Sequence, residues 1–175
     1  KNEEAIKNLK AFNFEKYKNK QVSTLDLKLT FVVSLFLNQN FKEALKVYQD
    51  FYHNDQWYIN KIGYIWVIQK NLIEILLLIE LDYLDLVASR LNAFRKKYTQ
   101  HLKAHNETVV LEFLKLITIY YYKTEDIYAE AYIKKVDALL LKNRKEADVF
   151  TISFYAWLKA KINKTEVYKT NLELI

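Results

Sequence analysis

The run Asn40-Phe41-Lys42-Glu43-Ala44-Leu45-Lys46-Val47-Tyr48-Gln49-Asp50-Phe51 places Ala44, Tyr48 and Phe51 at positions i, i+4 and i+7. That spacing puts all three on one face of an α-helix. The same spacing recurs as Ala5, Leu9 and Phe12, as Val87, Leu91 and Phe94, and as Tyr132, Val136 and Leu139. A fifth, shorter instance stands at Tyr168, Leu172 and Ile175. The first four copies lie 39, 43 and 45 residues apart. Recurrence at such a period is the signature of a stacked supersecondary unit.

Longer and more apolar segments alternate with these amphipathic ones, over 23–38, 56–81, 107–123 and 147–162. The pattern predicts about eight to nine helices, paired into hairpins of about 40 residues, in a single domain over 1–175. A hairpin alone cannot bury both its faces, whereas stacked hairpins share a continuous core. The nearly all-apolar helices are therefore expected inside, and the short basic ones at the surface.

Composition agrees with an all-α chain. Among 175 residues there is no Pro, and the single Gly is Gly63. Sheets of this size need many tight turns, which Gly and Pro serve best, while helices joined by short polar links need few. Those links are expected at 38–40, 53–55, 104–106, 123–126 and 143–146. Asn40, Asp82 and either Thr124 or Asp126 are the predicted helix N-caps. The absence of Cys removes disulfides and thiolate chemistry and leaves the compartment open, with the cytoplasm as the default. A chain that lacks Met and begins at Lys1 is expected to be a piece of a longer one.

Phe41-x-x-Ala44-x-x-x-Tyr48 resembles the second helix of a tetratricopeptide repeat, with an aromatic at the helix start, a small residue at the close contact and an aromatic one turn later. Ala5 matches the small position in the first copy. The pattern departs from the family elsewhere: Val32 stands where the first helix has a small residue, Val87 and Tyr132 replace the small Ala, and the closing Pro is missing. The resemblance implies a right-handed α/α superhelix of stacked antiparallel hairpins. It also implies a protein-binding scaffold.

The chemistry in the sequence is sparse. His101 and His105 stand at i, i+4, a spacing that suits a metal pair, but no third ligand accompanies them. No metal site and no cofactor are expected. Glu74 and Glu80 sit in an apolar helix and read as ion-pair partners rather than as acid–base catalysts. One Gly cannot build a phosphate-cradling loop, and no serine has a nearby His in sequence, so the chain does not read as an enzyme. The apolar stretch 62–81 carries Gln69, Lys70, Asn71, Glu74 and Glu80 and is not expected to span a membrane.

Two binding functions remain. The first is a groove for a peptide or a partner protein's helix, with Trp57, Tyr58, Tyr64, Tyr121 and Tyr122 as candidate anchors. The second is a nucleic-acid surface, suggested by the net charge of +6. Arg90, Arg95, Lys96, Lys97 and Lys103 form its main basic face. Lys134, Lys135, Lys142, Arg144 and Lys145 form another cluster, and Lys7, Lys10, Lys16, Lys18 and Lys20 a third.

Overall fold

In a computed structural model the chain is all-α, with no strand among the described residues, which are 2–17, 21–143 and 148–175. Ten α-helices run in order among them: α1 (Asn2–Ala11), α2 (Gln21–Leu37), α3 (Phe41–Tyr48), α4 (Asp55–Lys61), α5 (Tyr64–Glu80), α6 (Leu84–Ala104), α7 (Thr108–Tyr122), α8 (Glu130–Asn143), α9 (Val149–Asn163) and α10 (Val167–Leu174). Two short 3-10 turns lie at Phe14–Tyr17 and Thr124–Tyr128. Contacts gather the chain into two compact units, Lys1–Tyr83 and Leu84–Ile175.

The predicted order of helices holds with one break, but the alternation of short and long does not extend past α5, since α6 has 21 residues and α7 has 15. The predicted helix over 56–81 is two helices, α4 and α5, divided at Ile62 and Gly63. Gly63 has φ 118° and ψ 171°, a backbone region that residues with a Cβ rarely enter. The amides of Ile62 and Gly63 both donate to the Tyr58 carbonyl, at 2.8 and 3.3 Å, which closes α4. Asn54 opens it, since its side chain accepts from the Trp57 amide at 2.9 Å. This division raises the count to ten. Helix α6, predicted to be short, is the longest at 21 residues.

Among the described residues, four other helix ends turn left-handed without Gly. Gln39, Asp82, Asn106 and Lys164 all take left-handed backbone, with φ of 59°, 59°, 57° and 54°. Behind Gln39, Asp82 and Asn106 the same pair of hydrogen bonds recurs. At Gln39 these run from Gln39 N to Phe36 O and from Asn40 N to Leu35 O, both 2.9 Å. This is the Schellman closure, which satisfies the last carbonyls of the helix. Asp82 therefore terminates α5 rather than capping α6. Asn40 makes no side-chain cap bond. Thr124 and Asp126 lie inside a 3-10 turn instead of capping α8.

A left-handed Gln or Lys costs roughly 1–2 kcal/mol, part of which Gly recovers at the expense of a more flexible unfolded chain. Gln39→Gly and Lys164→Gly should each stabilise the protein by about 0.5–1 kcal/mol in urea unfolding. Asp82→Gly and Asn106→Gly should gain less, because Asp and Asn tolerate this region.

In the first unit, α2 and α5 supply the core. Leu29, Val32, Leu35, Phe36, Ile73, Leu76 and Leu77 are sealed from solvent. Burial raises the Asp26 carboxyl of α2 above its ordinary value, and the Trp66 indole of α5 opposes part of that rise. In the second unit, α7 and α9 pack through rings. Phe113 stacks on Phe154 at 5.5 Å, and Tyr120 meets the buried Trp157 edge-on at 5.0 Å. The Tyr132 hydroxyl of α8 donates to Leu116 O at 3.1 Å. Burial lifts the phenols of Tyr132 and Tyr155 far above their ordinary range.

The recurrent triplet is buried in its three middle copies: Ala44, Tyr48 and Phe51; Val87, Leu91 and Phe94; Tyr132, Val136 and Leu139. Both outer copies are out of register. Ala5 is exposed and its neighbour Ile6 is buried. Leu172 and Ile175 are exposed, while Val167, Thr170 and Asn171 face inward. Thr170 becomes tolerable inside because its hydroxyl bonds Glu166 O at 3.0 Å and lies 2.8 Å from that of Thr165.

Candidate functional site

The first unit contains a cleft of about 280 Å³. Its walls come from the 3-10 turn (Phe14), from α2 (Gln21, Thr24, Leu25, Lys28), from the link after α3 (Asp50, Tyr52, His53) and from α4 (Trp57, Tyr58). The link adopts its path because α3 stops at Tyr48 and Phe51 turns inward, where its ring meets Tyr48, Tyr58 and Trp66 at 5.6, 6.1 and 5.5 Å. With Phe51 anchored, Tyr52 is thrown out to solvent, 82% exposed.

One wall is a stepped aromatic surface. His53 stacks on Trp57 with centroids 3.8 Å apart and planes 16° apart, and Tyr52 leans on His53 at 4.3 Å. Trp57 meets Tyr58 edge-on at 5.0 Å. The opposite wall is polar. Lys28 Nζ bonds Asp50 Oδ2 at 3.1 Å and lies 5.5 Å from the Phe14 ring. The Lys28 side chain is 18% exposed and that of Asp50 is 61% exposed. Thr24 donates to Tyr17 O at 3.2 Å, which ties the 3-10 turn to α2.

Behind the cleft sits a buried cation. Lys70 of α5 is 6% exposed. Its ammonium pairs with Asp55 of α4 at 3.2 Å and donates to the Tyr48 hydroxyl of α3 at 3.1 Å. It also lies 5.3 and 5.7 Å from the rings of Tyr48 and Tyr58. A buried charge persists only when paired and hydrogen-bonded, and here α3 and α4 contribute the partners. The Tyr58 phenol, almost fully buried, is raised above its ordinary range chiefly by that burial.

The five predicted groove residues fall in different places. Trp57 and Tyr58 line the cleft, with Tyr58 as part of its floor. Tyr64 is half-buried at the start of α5. Tyr121 and Tyr122 belong to the second unit. There the Tyr121 hydroxyl donates to Leu84 O at 2.7 Å, and Tyr122 is exposed. Partial desolvation, Tyr122 and Asp85 together raise the Tyr121 phenol.

The basic face of α6 is split as well. Arg95 turns toward α7, and its Nη2 donates to Thr118 Oγ1 at 2.6 Å. Arg90, Lys96, Lys97 and Lys103 are exposed. Arg90 and Lys97 share one line along the helix and Lys96 and Lys103 another, about 100° away. Lys134 pairs with Glu130, and Lys10 with Glu43. Lys18, Lys20, Arg144 and Lys145 lie outside the described residues, as does the Lys142 side chain.

The rings of His101 and His105 approach to 4.0 Å, and His105 Nδ1 lies 2.9 Å from His101 O. Among the described residues no group of three His, Asp or Glu side chains is placed to hold a metal ion. No described helix is long and apolar enough to cross a membrane. Glu74 and Glu80 are half-buried, each with an interaction partner.

Of the ten residues that line the cleft, sequence reasoning named Trp57 and Tyr58 and missed the other eight, among them its charged pair, Lys28 and Asp50, and the rings of Tyr52 and His53. The available signal was an aromatic pair at 52–53, at the edge of the predicted polar link 53–55, where exposed rings have no core to join. Comparison of the chain with protein-family models, with curated proteins and with solved structures finds no match.

Proposed function

We propose that the protein is a non-enzymatic interaction module, a tetratricopeptide-like helical-repeat scaffold that docks a peptide segment or helix of a partner protein. The observation that carries this reading is the cleft of the first unit, where a stepped aromatic wall faces a charged pair across about 280 Å³. Half-exposed aromatic rings supply large contact area at low entropic cost, and a few polar groups beside them fix orientation. Panning a peptide display library on the intact chain should enrich sequences that bind wild type, and Trp57→Ala should lower their affinity about tenfold or more. Enriched peptides that bind Trp57→Ala as well as wild type would remove the cleft from the reading.

One observation favours a nucleic-acid surface as the second reading. Residues 1–83 carry 11 Lys against 10 acidic residues, whereas residues 84–175 carry 16 Lys and Arg against 11. The net charges are thus +1 and +5, and four exposed cations of the second unit line α6. Lys96→Glu with Lys103→Glu is the discriminating variant, since Arg95 is engaged with Thr118. It should abolish salt-sensitive binding of a single-stranded oligonucleotide if this reading is right, and leave the displayed peptides unaffected if the first is.

A further inference from the structure

We propose that the cleft receives a planar cation, the guanidinium of an arginine side chain on the docking peptide, against the Tyr52–His53–Trp57 wall and the Asp50 carboxylate. This rests on the peptide-docking reading above and names the chemistry that the site selects.

Of the two charged residues that line the cleft, the one exposed to solvent is acidic. Lys28 is mostly covered, and its ammonium is already held by Asp50 and by the Phe14 ring. Asp50 is the exposed member. It engages Lys28 through Oδ2, which leaves Oδ1 without a hydrogen bond among the described residues. That oxygen is open to a second cation, since a carboxylate offers about four lone-pair sites to donors.

The aromatic wall narrows the choice of cation. Tyr52 is the most exposed large apolar side chain described, and its ring contact is with His53, itself stacked on Trp57. A guanidinium is planar, more weakly hydrated than an ammonium, lies flat on such faces and bonds carboxylates along fixed directions. A lysine ammonium would gain the charge pairing and lose the stacking.

Other occupants fit poorly. A carboxylate would have to draw Lys28 away from Asp50 and then lie beside that exposed carboxylate. An aliphatic side chain would desolvate Asp50 with nothing to bond it. The net charge of +1 over residues 1–83 puts little repulsion in the path of a cation.

The test uses acetylated, amidated pentapeptides Ala-Ala-X-Ala-Ala, with X as Arg, Lys, Glu or Leu, titrated into the full chain. Nitrogen-15 NMR follows the Trp57 indole and the amides of 50–54. The Arg peptide should shift these signals with a Kd of about 1 mM, and the Lys peptide should bind several-fold more weakly. Asp50→Asn should weaken the Arg peptide about fivefold. Tyr52→Ala should also weaken it, while Lys28→Met, which frees the carboxylate, should tighten it. Preference for Glu or Leu, or Arg binding indifferent to Asp50→Asn, overturns the arginine assignment and leaves the docking site standing. No shift with any of the four peptides, together with display peptides indifferent to Trp57→Ala, removes both.

Discussion

Asp55→Ala should destabilise the first unit by about 3 kcal/mol, which urea unfolding followed through Trp66 fluorescence would detect. The substitution leaves the Lys70 ammonium in a site where its side chain is 7% exposed. Its remaining support is the Tyr48 hydroxyl and two ring faces. Truncating one partner of a buried pair leaves an uncompensated charge, and that desolvation is the dominant cost. Lys70→Met should cost less, because Asp55 is the first residue of α4, where the helix N-terminus favours a carboxylate. Combining Asp55→Leu with Lys70→Met should recover most of the loss, since apolar replacement of a buried pair is often neutral. A double variant as unstable as Asp55→Ala alone would show that packing, not charge, explains the single effect.

Gly63→Ala should cost about 2 kcal/mol for an unrelated reason. A Cβ built on Gly63 meets no atom within 4 Å, so there is room for it. The penalty lies in the backbone, held at φ 118° where an L-residue clashes with its own chain. The control is D-alanine at 63, placed by chemical ligation. For a D-residue those dihedrals mirror ordinary extended backbone, so D-alanine should match or exceed the stability of Gly. Equal loss with both enantiomers would mean that the cost is steric after all.

The two changes mark where the sequence could and could not be read. Helical spacing at 44 and 48 was enough to expect α3 and its buried face, because that face depends on residues within two turns, whereas Phe51, expected on the same helix, is buried from the link that follows it. The copies at 87–94 and 132–139 followed by the same logic. The break at Gly63 was hidden, since one Gly inside an apolar run also fits an unbroken helix. Its companion signal was Asn54, whose capping bond fixes where α4 starts.

The cleft was only half legible. Trp57 and Tyr58 stood out as large rings, but whether a ring faces a groove or a core depends on neighbours distant in sequence. Tyr58 is buried against Phe51 and Trp66, which reach it only after α3, α4 and α5 come together. The pairing of Lys28 with Asp50 spans 22 residues, as does that of Lys70 with Tyr48. No local pattern encodes either one. At the α10 end, Leu172 and Ile175 looked like core because the burial of Thr170 rests on a hydrogen bond to Glu166 that spacing cannot reveal.

The left-handed helix ends have a genetic side. The codons of Gly and Pro begin with GG and CC, while those of Lys, Asn, Ile and Tyr are written largely in A and T. A coding sequence drawn toward A and T loses the usual turn-formers first, and its helix ends must be spelled with what remains. Here they are spelled Gln39, Asp82, Asn106 and Lys164. An Asp codon lies a single base from Gly, whereas Gln, Asn and Lys codons each need a double change. The two ends where Gly would help most, Gln39 and Lys164, are therefore out of reach of any one mutation. Strain at these turns can persist in the lineage because of the nucleotide alphabet, whatever the fold would prefer.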